Sequence, residues 1–519
     1  MDMWKPCWPV LLLWVSINAQ AQVPIIEWQR AYGGSDTDIG YALDATQDGG
    51  FIVAGETWSY DGDVPMNHGP SDAWVLKLDS LGNIEWQRVL GGSGGDYATS
   101  VHQTTDHGYI VSAVSNSNNG DVSGAHGGVD AWIVKLDPMG QTEWQHAYGG
   151  PDLDRAAAIM EMNDGGYVFS GSATADGGDV SGSQGGGDVW VVRIDSVGEI
   201  LWQHSLGGSG VDGANGIELT GDGGAIITGA SYSTDGDVTT NAGGSDLWVV
   251  KVDGNGSLIW QSSFGGSSLD EAVGATSLGD GRIAVIGNTF SSDGDVTGAH
   301  GGCDSWLLEL DSVGTLLTQH AYGGSLGEFC GISPVLDDDQ GYLMIASAYS
   351  DNGDVSGNQG AGDTWLVHTN ANDSVLWQVC HGGSAADSWS QVIATSDGGV
   401  ACIGATNSND GDVIGNHGML DLWVMKFRDP SVQVPERSIS TVLTVFPDPA
   451  TAEITVATSV REPFTMIEVF DAAGHRVLAE AFTSAADQRT LDIKDLASGV
   501  YGIRGWCKGV PLFARFVKE

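Results

Sequence analysis

The sequence predicts an all-β protein: a seven-bladed β-propeller of four-stranded blades, its N-terminal strand closing the last blade, followed by a small C-terminal β-sandwich. Two observations carry this. The dipeptide Trp-Gln recurs at Trp28, Trp86, Trp144, Trp202 and Trp260, 58 residues apart each time. Thr318 stands in the same place in the next copy and Trp377 in the last. An Asp-x-Trp element recurs in step, at Trp74, Trp132, Trp190, Trp248, Trp306, Trp365 and Trp423. A unit of this length, repeated seven times, fits radially arranged four-stranded sheets.

The chain opens with a secretory signal, residues 1–21. Lys5 is its positive end, and Cys7 to Ile17 form an apolar stretch too short to span a bilayer. Ala19-Gln20-Ala21 fits cleavage between small residues, which leaves Gln22 first. IIEWQR, residues 25–30, reads as a fourth-type strand with no unit of its own before it. Each unit then reads as four strands, in the first copy YALDATQ, GFIVAGET, DAWVLKLD and NIEWQRVL. Gly, Asn and Asp clusters separate them, as turns require. The sixth unit is one residue longer, within the turn sequence LDDDQGY. The seventh stops after DLWVMKF, residues 421–427, without a fourth strand. The N-terminal strand supplies it and removes the open edges of the array. The propeller thus occupies residues 22–428. Residues 429–441, without glycine or periodicity, read as a linker. Residues 442–519 alternate short β runs, which suggests the sandwich.

Charge narrows the function. With 67 acidic and 20 basic side chains the net charge is −47. Such a surface repels nucleic acid and anionic lipid and attracts cations. No segment of the mature chain is apolar enough to cross a membrane. Its five cysteines, Cys303, Cys330, Cys380, Cys402 and Cys507, include no CxxC pair, which argues for buried thiols over a zinc site.

Three acids recur in every unit. One follows the Trp-Gln strand: Asp38, Asp96, Asp154, Asp212, Asp270, Glu328 and Asp387. One ends the loop sequence D-G-D-V, as at Asp63 and Asp237, and one begins the Asp-x-Trp strand, as at Asp72 and Asp246. Two readings stand. The acids accept hydrogen bonds from their own loops, or pairs of them with loop carbonyls bind calcium. Asp235, Asp237 and Asp246 are the calcium candidates. The loop histidines His68, His126, His300 and His417 share their place with Gln184, Gln359 and Ala242, as a loop contact would.

Residues repeated seven times do not define one active site, so the unlike residues near the axis matter more. After the first acid the series runs Ile39, Tyr97, Arg155, Gly213, Glu271, Phe329 and Ser388. The next position is small in six units, as crowding near the axis demands, and is Trp389 in the seventh. Tyr97, Arg155, Glu271 and Trp389 are the candidate lining of a central pocket for a sugar or a peptide carboxylate. No catalytic residue is assigned.

The repeat YGGS-x-x-D, DGG-aromatic, G-x-T-x-S, DAW-x-x-K-x-D resembles the β-propeller repeat of bacterial secreted and surface proteins. Residues 442–519 resemble the C-terminal sorting domain of type IX secretion in Bacteroidetes-type bacteria. The matching residues are Pro447, Asp448 and Pro449, then Asp471 and Gly474 of IEVFDAAG, then Leu496, Gly499 and Tyr501. Asp448 stands where the family usually has Asn. The resemblance implies that the type IX machinery is a partner and that the protein reaches the outer cell surface or the medium. The expected role is a binding or scaffold propeller for a glycan, protein or cations. The alternative is an extracellular polysaccharide-active enzyme, glycoside hydrolase-like, with its site in the central pocket.

Overall fold

The computed structural model describes residues 23–332, 334–336, 341–428, 443–446, 450–458, 464–470, 476–482, 488–494, 496–507 and 510–518. The stretches expected to be signal sequence and linker, and most of the sixth unit's longer turn, lie outside them. The chain divides into two compact units, Met1–Val434 and Pro435–Glu519. Every element among the described residues is a strand.

Residues 25–428 form seven antiparallel sheets of propeller type. The first consists of Asp38–Ala45, Phe51–Thr57, Asp72–Leu78 and Ile84–Leu90, hydrogen-bonded in that order. In the sixth the first strand is split into Glu328–Cys330 and Val335–Leu336. The seventh takes its outer strand from the other end of the chain, Ile25–Tyr32 pairing with Asp421–Arg428. The seventh sheet also packs on the first: Ser390 Oγ donates to the Gly40 carbonyl at 2.8 Å, and Leu43 N donates to Gln391 Oε1 at 2.7 Å.

The core lies between sheets. One cluster joins Ile52 and Val75 of the first sheet to Tyr109 and Trp132 of the second. The third strand is therefore buried on both faces, Ala73, Val75 and Lys77 as well as Trp74, Leu76 and Leu78. Buried Lys77 is neutralised by Asp48 and Glu85, each at 2.9 Å.

The two recurring motifs explain each other. In all seven sheets the tryptophan of Asp-x-Trp donates its indole N–H to the glutamine of Trp-Gln, for example Trp74 to Gln87 at 2.8 Å and Trp423 to Gln29 at 2.6 Å. The tryptophan of Trp-Gln instead covers the turn of the next sheet. Trp28 Nε1 donates to the Ser80 carbonyl at 3.0 Å, and a Cβ on Gly82 (φ +78°) would lie 2.9 Å from its ring.

The second unit contains a three-stranded and a four-stranded sheet. Ile454 and Val456 of one share a core with Ile467, Val469, Ile503 and Phe516 of the other.

Candidate functional site

The repeated acids act first as anchors of the loops at one end of the sheets. Asp96 is fully buried; its carboxylate accepts Gly92 N at 2.8 Å and Ser117 Oγ at 2.7 Å, and also Ser115 Oγ. Glu328 reaches Gly324 N at 2.7 Å in the sixth sheet. The calcium candidates hold backbone in the same manner. Asp235 accepts Ser209 N at 2.7 Å, which holds its carboxyl below the usual range. Asp237 accepts Gly207 N at 3.1 Å and Gln184 Nε2 at 2.7 Å. Asp246, 2% exposed, accepts Ala242 N at 2.8 Å. Burial first, then repulsion from Asp270 and Asp295, pushes its carboxyl up to about 6. Among the described residues no three His, Cys, Asp or Glu side chains gather to hold a metal ion. The loop histidines bind aspartates of their own or the next sheet: His68 meets Asp72 at 2.8 Å, and His126 meets Asp179 at 3.6 Å.

A cavity of about 420 Å³ is lined by the first strands of all seven sheets. Of the sequence candidates, Tyr97, Glu271 and Trp389 line it and Arg155 does not. Arg155 is exposed, outside the wall, where it acts electrostatically on the Tyr97 phenol. The cation that would have matched a peptide carboxylate is thus missing from the wall. At Gly40, the small residue of the first sheet, a Cβ would lie 2.5 Å from Ile403 of the seventh sheet, so the crowding there is against the neighbouring sheet. Trp389, 5% exposed, packs against Trp423 at 5.1 Å between ring centres. Its buried indole N–H has no acceptor among the described residues.

Sequence reasoning missed Tyr41, Thr99, Asn215 and Ser390 by two positions. Six first strands carry a bulge there: Gly40 pairs with Gly55 and Ala42 with Ala54, so Tyr41 is passed over. The passed-over residues Tyr41, Thr99, Ala157, Asn215, Val273 and Ser390, with Gly331 of the split strand, all line the cavity. Bulges re-aim a side chain in this way. Several also tie neighbouring sheets: Thr99 Oγ1 donates to the Ala156 carbonyl at 3.0 Å and Asn215 Nδ2 to the Ala272 carbonyl at 2.8 Å. Asn288, missed because it lies on a second strand, donates to Glu271 Oε1 at 3.1 Å and accepts Cys330 N at 2.9 Å.

Beyond the cavity-lining strands the ring is uneven. The residue after each second strand is Trp58, Asn116, Thr174, Tyr232, Phe290, Tyr349 and Asn407 in turn. Phe290 and Tyr349 flank Phe329, with ring centres 6.1 and 6.2 Å away. Cys303, Cys330, Cys380 and Cys402 are buried free thiols.

In the second unit, Pro447, Asp448, Pro449, Asp471 and Gly474 lie outside the described residues. Leu496 packs on the core, Gly499 begins the strand Gly499–Cys507, and Tyr501 donates to the Ala497 carbonyl at 2.8 Å and stacks on Phe516.

Comparison with known proteins separates the two units. Residues 444–505 match the Secretion system C-terminal sorting domain family. The protein therefore carries a type IX sorting domain, and that machinery sends it to the cell surface or outside. Among the described residues no helix is long and apolar enough to cross a membrane. No curated protein matches the chain. Among solved structures, BBS1N in complex with ARL6DN aligns with 10% identity and TM-score 0.41, covering 80% of this chain and 99% of that one. A member of the duf4221 family from Bacteroides vulgatus aligns with 9% identity and TM-score 0.35, covering 79% and 98%. Drosophila Plexin A in complex with Semaphorin 1b aligns with 9% identity and TM-score 0.38, covering 76% and 88%.

Proposed function

We propose that residues 22–428 act as a seven-bladed propeller whose role is binding, delivered outside the cell by a sandwich-shaped sorting domain at residues 442–519. The observation that carries this reading is the convergence of unlike groups on one cavity: two tyrosines, a tryptophan, the Glu271–Asn288 pair and the hydroxyls of Thr99 and Ser390. Its volume suits a small ligand or the end of a chain. The uniform ring of loop acids supports a scaffold, whereas this asymmetric wall supports recognition. Among the described residues Glu271 is the one carboxylate lining the cavity; Glu56 accepts the Tyr41 hydroxyl at 2.8 Å without lining it, and paired-carboxylate hydrolysis needs two facing the substrate. Binding is therefore favoured over turnover. The test is a screen of the mature chain against glycans and peptides, with product analysis. Binding without turnover, weakened by Tyr97→Ala, is expected. Release of new reducing ends that stops in Glu271→Gln would overturn the reading in favour of an enzyme.

A further inference from the structure

We infer that the mouth of the central cavity captures a lysine or arginine side chain of a basic peptide segment from a partner; the inference rests on the binding reading above and names its ligand. Phe290, Phe329 and Tyr349 are 42%, 41% and 41% exposed. The Phe329 ring meets Phe290 at 58° and Tyr349 at 87°. Three coplanar rings would form a platform for flat sugar faces. Rings set across one another form the walls of a corner, and a compact cation touches several π faces there at once. Exposed Leu269 and Leu326 adjoin the corner: Phe290 N donates to the Leu269 carbonyl at 2.9 Å, and Tyr349 N donates to the Gly327 carbonyl at 3.0 Å. They offer apolar surface to the alkyl stem of a long basic side chain.

The corner leads to Glu271, the one carboxylate lining the cavity among the described residues. Phe329 precedes Cys330, which lines the cavity, and Glu271 stands in register with Asn288, two residues before Phe290. Among the described residues no Lys, Arg or His lines the cavity, and the chain's net charge of −47 draws cations toward it. Elsewhere in the series Asn116, Thr174 and Asn407 replace the rings, Trp58 and Tyr232 make no ring contact among the described residues, and Arg155 repels a cation. The ring corner therefore favours the side of the fifth and sixth sheets.

The test uses the full mature chain with labelled octalysine, octalysine acetylated on every side chain, and cellohexaose as a neutral glycan. Octalysine should bind, and the acetylated peptide should not. Phe329→Ala and Glu271→Gln should each weaken octalysine roughly fivefold to tenfold. Glu199→Gln, which removes one charge at the opposite end of the sheets, should leave it unchanged. Equal octalysine affinity in wild type, Phe329→Ala and Glu271→Gln would overturn the inference, since the attraction would then be diffuse. Cellohexaose binding that Phe329→Ala abolishes, with octalysine insensitive, would leave the binding reading standing and remove the basic ligand. Insensitivity of both probes to Phe329 and Glu271 would remove both.

Discussion

Asp96→Ala would strand three donors in a buried site, Gly92 N and the Ser115 and Ser117 hydroxyls. Each lost partner costs about 1–3 kcal/mol, so urea unfolding should show a loss of at least about 3 kcal/mol. Thr318 offers a second test. It is the one repeat position among its equivalents without Trp before Gln319, and the turn it faces holds Asp373 at φ +58° where the other turns hold glycine. A ring at 318 would meet the Asp373 side chain, as Trp260 would meet a Cβ on Gly314 at 2.5 Å. Thr318→Trp should therefore destabilise, and adding Asp373→Gly should recover the loss. A double-mutant cycle with no coupling would contradict this contact.

Among elements, the four strands of each sheet were legible because the turns carry Gly and Asp at fixed places and the hydrophobic runs are short. The bond from Trp74 to Gln87 was not, since two motifs in step reveal a period but not which strands they join. Gln87→Ala removes the acceptor of a buried indole N–H and should cost about 1–3 kcal/mol by urea unfolding. The cavity wall was half legible. Tyr97, Glu271 and Trp389 stood out as unlike residues, but the bulge that aims Tyr41 and Asn215 inward leaves no composition signal. The loops were legible as turns and ambiguous as metal sites. Because Asp235, Asp237 and one oxygen of Asp246 already hold backbone or side-chain donors, and no cluster of metal-ligating side chains gathers among the described residues, a chelator should leave the melting temperature unchanged. A fall reversed by calcium would refute that.

For the whole molecule, acid should stabilise. Burial pushes Asp246, Asp304 and Asp363 up to about 6, above the usual carboxylate value of about 3.9 in an unfolded chain. The folded state then binds more protons than the unfolded state between those values, so stability rises as pH falls from about 7 to 5. Lower net repulsion among the acids acts in the same direction. A melting temperature that drops steadily over that range would refute the shift. The pairing of Ile25–Tyr32 with Asp421–Arg428 has a different kind of consequence, one of timing. The first strand is synthesised long before its partner, and pairings so distant in sequence form slowly. Until then the strand has an unmatched backbone edge that can pair with another chain. Transport of a partly assembled chain would carry that edge along, because closing the seventh sheet requires the return of the first strand.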